Sequence, residues 1–187
     1  MLRGHAMHCS IQIGQLIRKL RSINLACLFT FINKSTIQET KMNLNELREQ
    51  LTIDEGKILE VYLDHLGLPT VGIGHLVLDA DPESGQAVGT PITEERCVEL
   101  FEKDVEGVIK DCKILHPAWD GYPEEVKQVV ANMMFNMGRT RLSGFKKHVA
   151  ALQSGDWKTA AVEGRDSKWY RQVTNRAERL MARIENV

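Results

Sequence analysis

No CxxC pair and no histidine–cysteine cluster with the ligand spacing of a metal centre occurs in the 187 residues, so neither a metal nor another cofactor is expected. Cysteine itself is scarce: Cys9, Cys27, Cys97 and Cys112 are the four. The last two fall in one helical pattern, and their separation corresponds to about 22 Å of helix, which excludes a bridge between them. Long apolar runs are absent as well. The run from Ile23 to Ile32 is far shorter than the roughly 20 residues that a bilayer span requires, so no stable membrane span is expected. Internal repeats and low-complexity tracts are lacking, which leaves a globular protein with a hydrophobic fraction of 43% to fill a core. Nor is there an excess of either charge, since 24 Lys/Arg stand against 25 Asp/Glu.

That balance conceals segregation. Residues 1–41 carry six Lys/Arg against one acid, residues 42–137 seven against nineteen, and residues 138–187 eleven against five. A basic C-terminal third suits an anionic polymer such as a cell wall or nucleic acid, and equally suits solvated helix faces. Residues 1–41 stand apart in composition and read three ways. Basic residues ahead of a short apolar core suggest a secretory signal, the lack of acids before Glu39 suggests an organelle transit peptide, and Met42 is a plausible start in its own right. Localisation, whether secreted or in a host cytoplasm, follows from which of these holds. The N-terminal extension 1–41 is therefore set aside from the folded domain, 42–187.

From Met42 the patterns are legible. Leu44, Leu47 and Leu51 recur at helical spacing after Asn43, an N-cap type, and predict a helix over 44–54 that Gly56 ends. The period then changes to two, with Leu59, Val61 and Leu63 alternating against Glu60, Tyr62 and Asp64. "HLGLP" turns the chain and "TVGIGHLV" returns it, a β-hairpin or small meander. Gly72 and Gly74 in the return strand imply a close neighbour to its backbone. After an acidic loop, Thr93 opens a long helix to about Cys112, and Pro123 at the first helical position opens an apolar helix closed by Gly138. Further short helices follow, one opened by Asp156 and the last by Thr174 or Asn175. The fold class is α+β: a small N-terminal hairpin lobe joined by a long helix to a mainly helical C-terminal lobe.

Glu55, Asp64 and Thr70 gather at the hairpin. Glycoside hydrolysis needs a proton for the leaving oxygen and a carboxylate across the sugar, and this set meets the requirement. Glu55 would need a partly apolar setting to hold its proton, while Asp64 stays ionised near solvent and Thr70 holds a water. The structural alternative is a capping box, Thr52 with Glu55, and plain turn residues at Asp64 and Thr70. His75 reads as a structural histidine. Met133, Met134 and Met137 read as core, and Trp157 and Trp169 as packing anchors.

The stretch "DEG", the spacing of Glu55, Asp64 and Thr70, and "VGIGHL" closely resemble phage-type lysozymes, the muramidases of the T-even phage kind. The similarity returns in order at "ITEERCVELFEKDV", "ANMMFNMG", "SGF", "SKWY" and "TNRAER". It implies a lysozyme-like fold and an inverting muramidase that cuts the β-1,4 bond between N-acetylmuramic acid and N-acetylglucosamine, for wall lysis or antibacterial defence. Glu55 would be the acid, and Asp64 with Thr70 would direct water. Leu76 and Phe135 would contact sugar, Arg176 would pair with Glu55, and the partner would be bacterial peptidoglycan, met by a monomer, with no nucleic acid. A non-catalytic wall-binding protein and a lytic transglycosylase are the alternatives on the same fold. His148 and Glu163 replace two of the family's contact residues and carry no such role. The loop 78–91 is shorter than in the T-even enzyme, so His75 is expected to lack its acidic partner. The family's last helical segment is also missing after Val187.

Overall fold

The computed structural model describes residues 42–187, which form one compact unit. The three readings of residues 1–41 concern a segment outside the described residues. Helix α1, Leu44–Glu55, begins where Asn43 accepts a hydrogen bond from the Glu46 N–H, and ends at Gly56 with φ of 84°. It covers Glu55, and the capping-box alternative fails because Thr52 lies inside the helix, with its carbonyl accepting the Gly56 N–H. Leu47 and Leu51 bury its inner face, an apolar gain of about 2 kcal/mol for each side chain. Its start is tied to the rest of the protein by Gln128, which donates to the Asn43 carbonyl at 2.8 Å.

The meander consists of β1, Ile58–Leu63, β2, Pro69–Gly72, and β3, His75–Leu76, in the order β1-β2-β3, all antiparallel. Val61 and Val71 face inward onto Leu100. The two glycines have separate reasons. Gly72 and Gly74 both take positive φ in the β2–β3 turn, and a Cβ on Gly72 would sit 3.1 Å from Cys97 Sγ, so the close neighbour anticipated from the sequence is the next helix. The free edge of β1 is covered by the end of the acidic loop, with Val61 N donating to Thr90 O at 2.8 Å and Ile92 N to Leu59 O at 2.9 Å.

Helix α2, Glu94–Leu115, is capped by Thr93 and runs one turn beyond the expected Cys112. It packs against the sheet and against α3, Glu124–Leu142. Pro123 precedes the first residue of α3, and Gly138, at φ of 72°, breaks the helical backbone where the apolar helix was expected to close, with a second short helical stretch following it to Leu142. Residues Val126 to Met134 are all buried, so α3 is surrounded on every side. The lobe is completed by α4, Lys146–Ser154, α5, Trp157–Arg165, α6, Lys168–Gln172, and α7, Thr174–Glu185. Asp156 caps α5 as expected, whereas Val173 precedes α7 and offers no side-chain cap. The α+β lysozyme-like architecture is the one expected. No helix among the described residues is long and apolar enough to cross a membrane.

Cys97 and Cys112 are both buried free thiols. His75 does have acidic partners, against the expectation drawn from the shortened loop. Its Nδ1 lies 2.8 Å from Asp104 of α2, and its Nε2 lies 3.1 Å from Asp81, a residue of that loop. The loop remains anchored because Asp81 also accepts from Lys103 Nζ at 2.9 Å and from Leu78 N at 2.8 Å. Hydrogen bonding to Asp104, and secondly to Asp81, raises the His75 pKa although burial opposes it. Burial also works against the Asp81 carboxylate, but Lys103, the Leu78 N–H and His75 outweigh it and hold the group well below the usual range.

Candidate active site

Glu55 closes α1, whose buried leucines hold the helix on α3, so its carboxylate projects toward α3 and α7. Arg176 Nη1 donates to Glu55 Oε1 at 2.6 Å, and Asn136 Nδ2 approaches the same oxygen at 3.4 Å. Among the described residues no hydrogen bond reaches Oε2. The setting is therefore polar, a correction to the apolar pocket expected from the sequence. Arg176 is itself fixed: Nε donates to Asn132 Oδ1 at 2.9 Å and lies 3.3 Å from Asp54 Oδ2. Asn132 Nδ2 completes the set by donating to Asp54 at 2.9 Å. Asn136 has only one workable orientation, because Trp169 Nε1, a donor with no acceptor capacity, donates to its Oδ1 at 2.9 Å. Trp169 is thus a packing anchor with a polar duty. Trp157 packs edge-on against Tyr122 with ring centroids 5.6 Å apart.

Asp64 follows β1 at the turn. Its Oδ1 accepts the N–H groups of Leu66 and Leu68, each at 2.8 Å. The Leu68 N–H is the first cause that holds the carboxyl below its ordinary range, followed by the Leu66 N–H, in an exposed position that leaves the charge hydrated. Thr70 is 4% exposed, and its hydroxyl donates to the Leu68 carbonyl at 3.0 Å, so its lone pairs are what it can offer a water.

The sheet register joins these pieces. Tyr62 pairs with Thr70 and Thr70 with Leu76, and paired residues point to the same side, so the three side chains form a row across the strands. Tyr62 was not singled out in the sequence, although the two-residue alternation with Asp64 was the available signal. Its phenol pKa is raised by burial first, then by the charges of Asp64 and Glu55, which places it in the field of both carboxylates. Phe135 is half-buried on α3, one residue before Asn136, with its ring 6.4 Å from that of Phe101. His75 faces the other side of the sheet and takes no part.

A cleft of about 580 Å³ is lined by Glu55, Asn136, Arg176, Gln172, Thr174 and Arg179. A second hollow of about 610 Å³ lies between α1 and α2 around Arg48, Lys57 and Cys97, away from Asp64 and Thr70. Of the three candidate catalytic residues only Glu55 lines either hollow, the first, beside the fixed arginine; Asp64 and Thr70 line neither. No group of metal-ligating side chains occurs among the described residues.

Residues 53–186 match the family model described as phage lysozyme. The chain belongs to the phage lysozyme family. Similar proteins come from phages and from a eukaryote. A pre-baseplate central spike protein, Gp5, of Enterobacteria phage T4 is 34% identical over 152 residues, which cover 72% of this chain and 26% of that protein. This chain thus spans about a quarter of the spike protein's length. A probable T4-type lysozyme 2 of Dictyostelium discoideum is 30% identical over 161 residues, covering 76% of this chain and 95% of that one. A peptidoglycan hydrolase, gp36, of Pseudomonas phage phiKMV is 28% identical over 145 residues, 77% of this chain and 16% of that protein. The family match contains Glu55, Asp64, Thr70 and Arg176, all within its bounds.

Proposed function

We propose that this chain is a muramidase, which hydrolyses the β-1,4 bond between N-acetylmuramic acid and N-acetylglucosamine in bacterial peptidoglycan and inverts the anomeric centre. Family membership and relatives named as lysozymes or a peptidoglycan hydrolase support lysis of peptidoglycan. The observation that carries the finer reading is geometric: Arg176 tethers Glu55 through one oxygen, and two backbone N–H groups anchor Asp64 at the end of the strand whose Tyr62 is paired with Thr70. In this reading Glu55 gives the proton on Oε2 to the glycosidic oxygen as the bond to the anomeric carbon breaks. A water held by the Thr70 lone pairs attacks that carbon from the other face and passes a proton to Asp64. Arg176 and Asn136 position Glu55 and stay out of the proton transfers, while Leu76 and Phe135 contact the sugars. The activity resides in residues 42–187 acting as a monomer, and it uses no metal or cofactor.

Purified peptidoglycan separates the possibilities. Wild type is expected to clear wall suspensions and release reducing ends, and Glu55→Gln to lose at least about 100-fold in rate, the usual weight of a positioned acid. Nuclear magnetic resonance of the first product should show the inverted anomer. A 1,6-anhydro end would assign a lytic transglycosylase instead, and wall binding without turnover a non-catalytic module. Equal clearing by Glu55→Gln would remove Glu55 from its role.

A further inference from the structure

The hairpin turn places leucines where turns ordinarily carry polar residues. The Asp64 N–H donates to the Leu68 carbonyl at 3.0 Å, which continues the Tyr62–Thr70 and Leu63–Pro69 pairing by one step and sets Leu68 opposite Asp64. Residues opposed in this way project from the same side of the sheet. On the other flank, Leu76 is paired with Thr70, and the Val77 N–H donates to the Pro69 carbonyl at 2.9 Å, so strand alternation returns Leu78 to the side of Leu76. Val61, Val71 and His75 occupy the opposite, buried side. Leu68, Leu76 and Leu78 therefore share the face that holds Tyr62, Asp64 and Thr70. They are 42%, 44% and 47% exposed.

One exposed leucine is ordinary; three on the sheet face that holds Asp64 and Thr70 form an apolar strip beside those two residues. Leu68 also separates two duties cleanly. Its backbone N–H holds Asp64 and its carbonyl holds Thr70, while its side chain serves neither. Leu68 and Leu76 are the cross-strand neighbours of Asp64 and Thr70, so a molecule bound at those two residues is what the strip meets. A glycan presents hydroxyls and ring C–H groups, and when it is N-acetylated it adds a methyl group on each acetamide. That methyl is the group that gains most by leaving water against leucine.

We infer that Leu68, Leu76 and Leu78 form an apolar wall that seats the acetamido methyl of an N-acetylated sugar beside Asp64, with Leu68 and Leu78 determining specificity for N-acetylation. This rests on the glycan reading of the site. Each methyl-sized group buried is worth about fourfold in affinity, so removal of two leucine side chains is expected to cost about tenfold.

The test uses the full chain carrying Glu55→Gln, so that glycan is not consumed, and calorimetric titration with peptidoglycan glycan fragments in N-acetylated and chemically N-deacetylated form. Adding Leu68→Ser and Leu78→Ser should weaken binding of the acetylated fragments about tenfold and leave the deacetylated ones unchanged. Leu63→Ser, on the same strand as Tyr62 but on the other face and 54% exposed, should change neither. These are surface positions where folding is little affected, and a circular dichroism melt close to that of the Glu55→Gln parent checks it. No weakening, equal weakening on both glycans (the result expected if a lactyl methyl or ring face were bound), or failure of the parent to bind the acetylated fragments overturns the inference. Hydrolysis is read separately, as reducing ends released by wild type, so loss of one conclusion leaves the other measurable.

Discussion

His116 lies in the core of the helical lobe, where its Nδ1 meets the Tyr122 hydroxyl at 3.2 Å and its Nε2 has no partner among the described residues. Burial first, and the neighbouring His148 second, push its pKa down to about 4 from an ordinary 6.5. In that interval the unfolded chain takes up a proton that the native chain refuses, so acidification favours unfolding; the contribution is intact above pH 6.5 and drains away as the pH falls toward 4. A difference of about 2.5 in pKa, at about 1.4 kcal/mol each, amounts to about 3 kcal/mol. His75 does not offset this. Its raised pKa gives stability that is complete below 6.5 and is lost only as the pH rises through its native value. The depressed Asp81 is lost only at more acidic pH still, below its unfolded value. His116→Leu removes the titrating group at the cost of an unpaired Tyr122 hydroxyl, a penalty of about 1–3 kcal/mol that does not vary over this range. Urea unfolding followed by circular dichroism, at steps from pH 7.5 to pH 4, should show the variant less stable near neutrality, with the gap closing by about 3 kcal/mol toward pH 4. Parallel curves for wild type and variant across that range would refute the reasoning.

Two further substitutions probe the packing of the helical lobe and the site. Arg176→Met removes the cation shared by Asp54 and Glu55 and leaves the buried Asp54 carboxylate and the partly exposed Glu55 carboxylate each short of a partner. A loss of about 3–5 kcal/mol in urea unfolding is expected, together with a fall in wall clearing, and unchanged stability would show that Arg179 and Asn132 suffice for Asp54. A Cβ on Gly164 would fall 2.1 Å from the sulfur of the fully buried Met181, at the contact of α5 with α7. Gly164→Ala should therefore cost about 1–3 kcal/mol by overpacking, despite alanine's better helix propensity, and a thermal melt at or above that of wild type would contradict it.

Much of the charge pattern takes on meaning only in three dimensions. The C-terminal segment looks basic along the chain, yet Arg176, Arg179 and Arg183 of α7 are bound to Asp54, Glu55, Glu46 and Glu125 from the acidic middle segment. The segregation seen in the sequence thus matches α7 folding against α1 and the start of α3, in addition to any attraction for an anionic polymer.

What the sequence determined by itself were the features written in short-range pattern. Asn43, Thr93 and Asp156 cap helices because a side-chain oxygen a few residues from free N–H groups is a local device. The hairpin and the inward row of Val61 follow from two-residue alternation, and Glu55 at a helix end follows from glycine at the next position. The spacing that resembled the phage lysozymes lay within one short stretch for the same reason. Only the tertiary structure decided what depends on residues far apart in the chain. Asp81 and Asp104 flank His75 although a shortened loop suggested a lone histidine, because one acid is retained within the loop and the other comes from α2. Asn136 joins Arg176, the partner the resemblance implied, at Glu55 in place of an apolar pocket, since α7 and α3 converge on it from more than eighty residues away. Tyr62, and the leucines that share its face, become visible as a site only when register lines up three strands. Local patterns specify which elements form; the packing of those elements sets the dielectric, the partners and the free valences of each side chain, and the chemistry resides there.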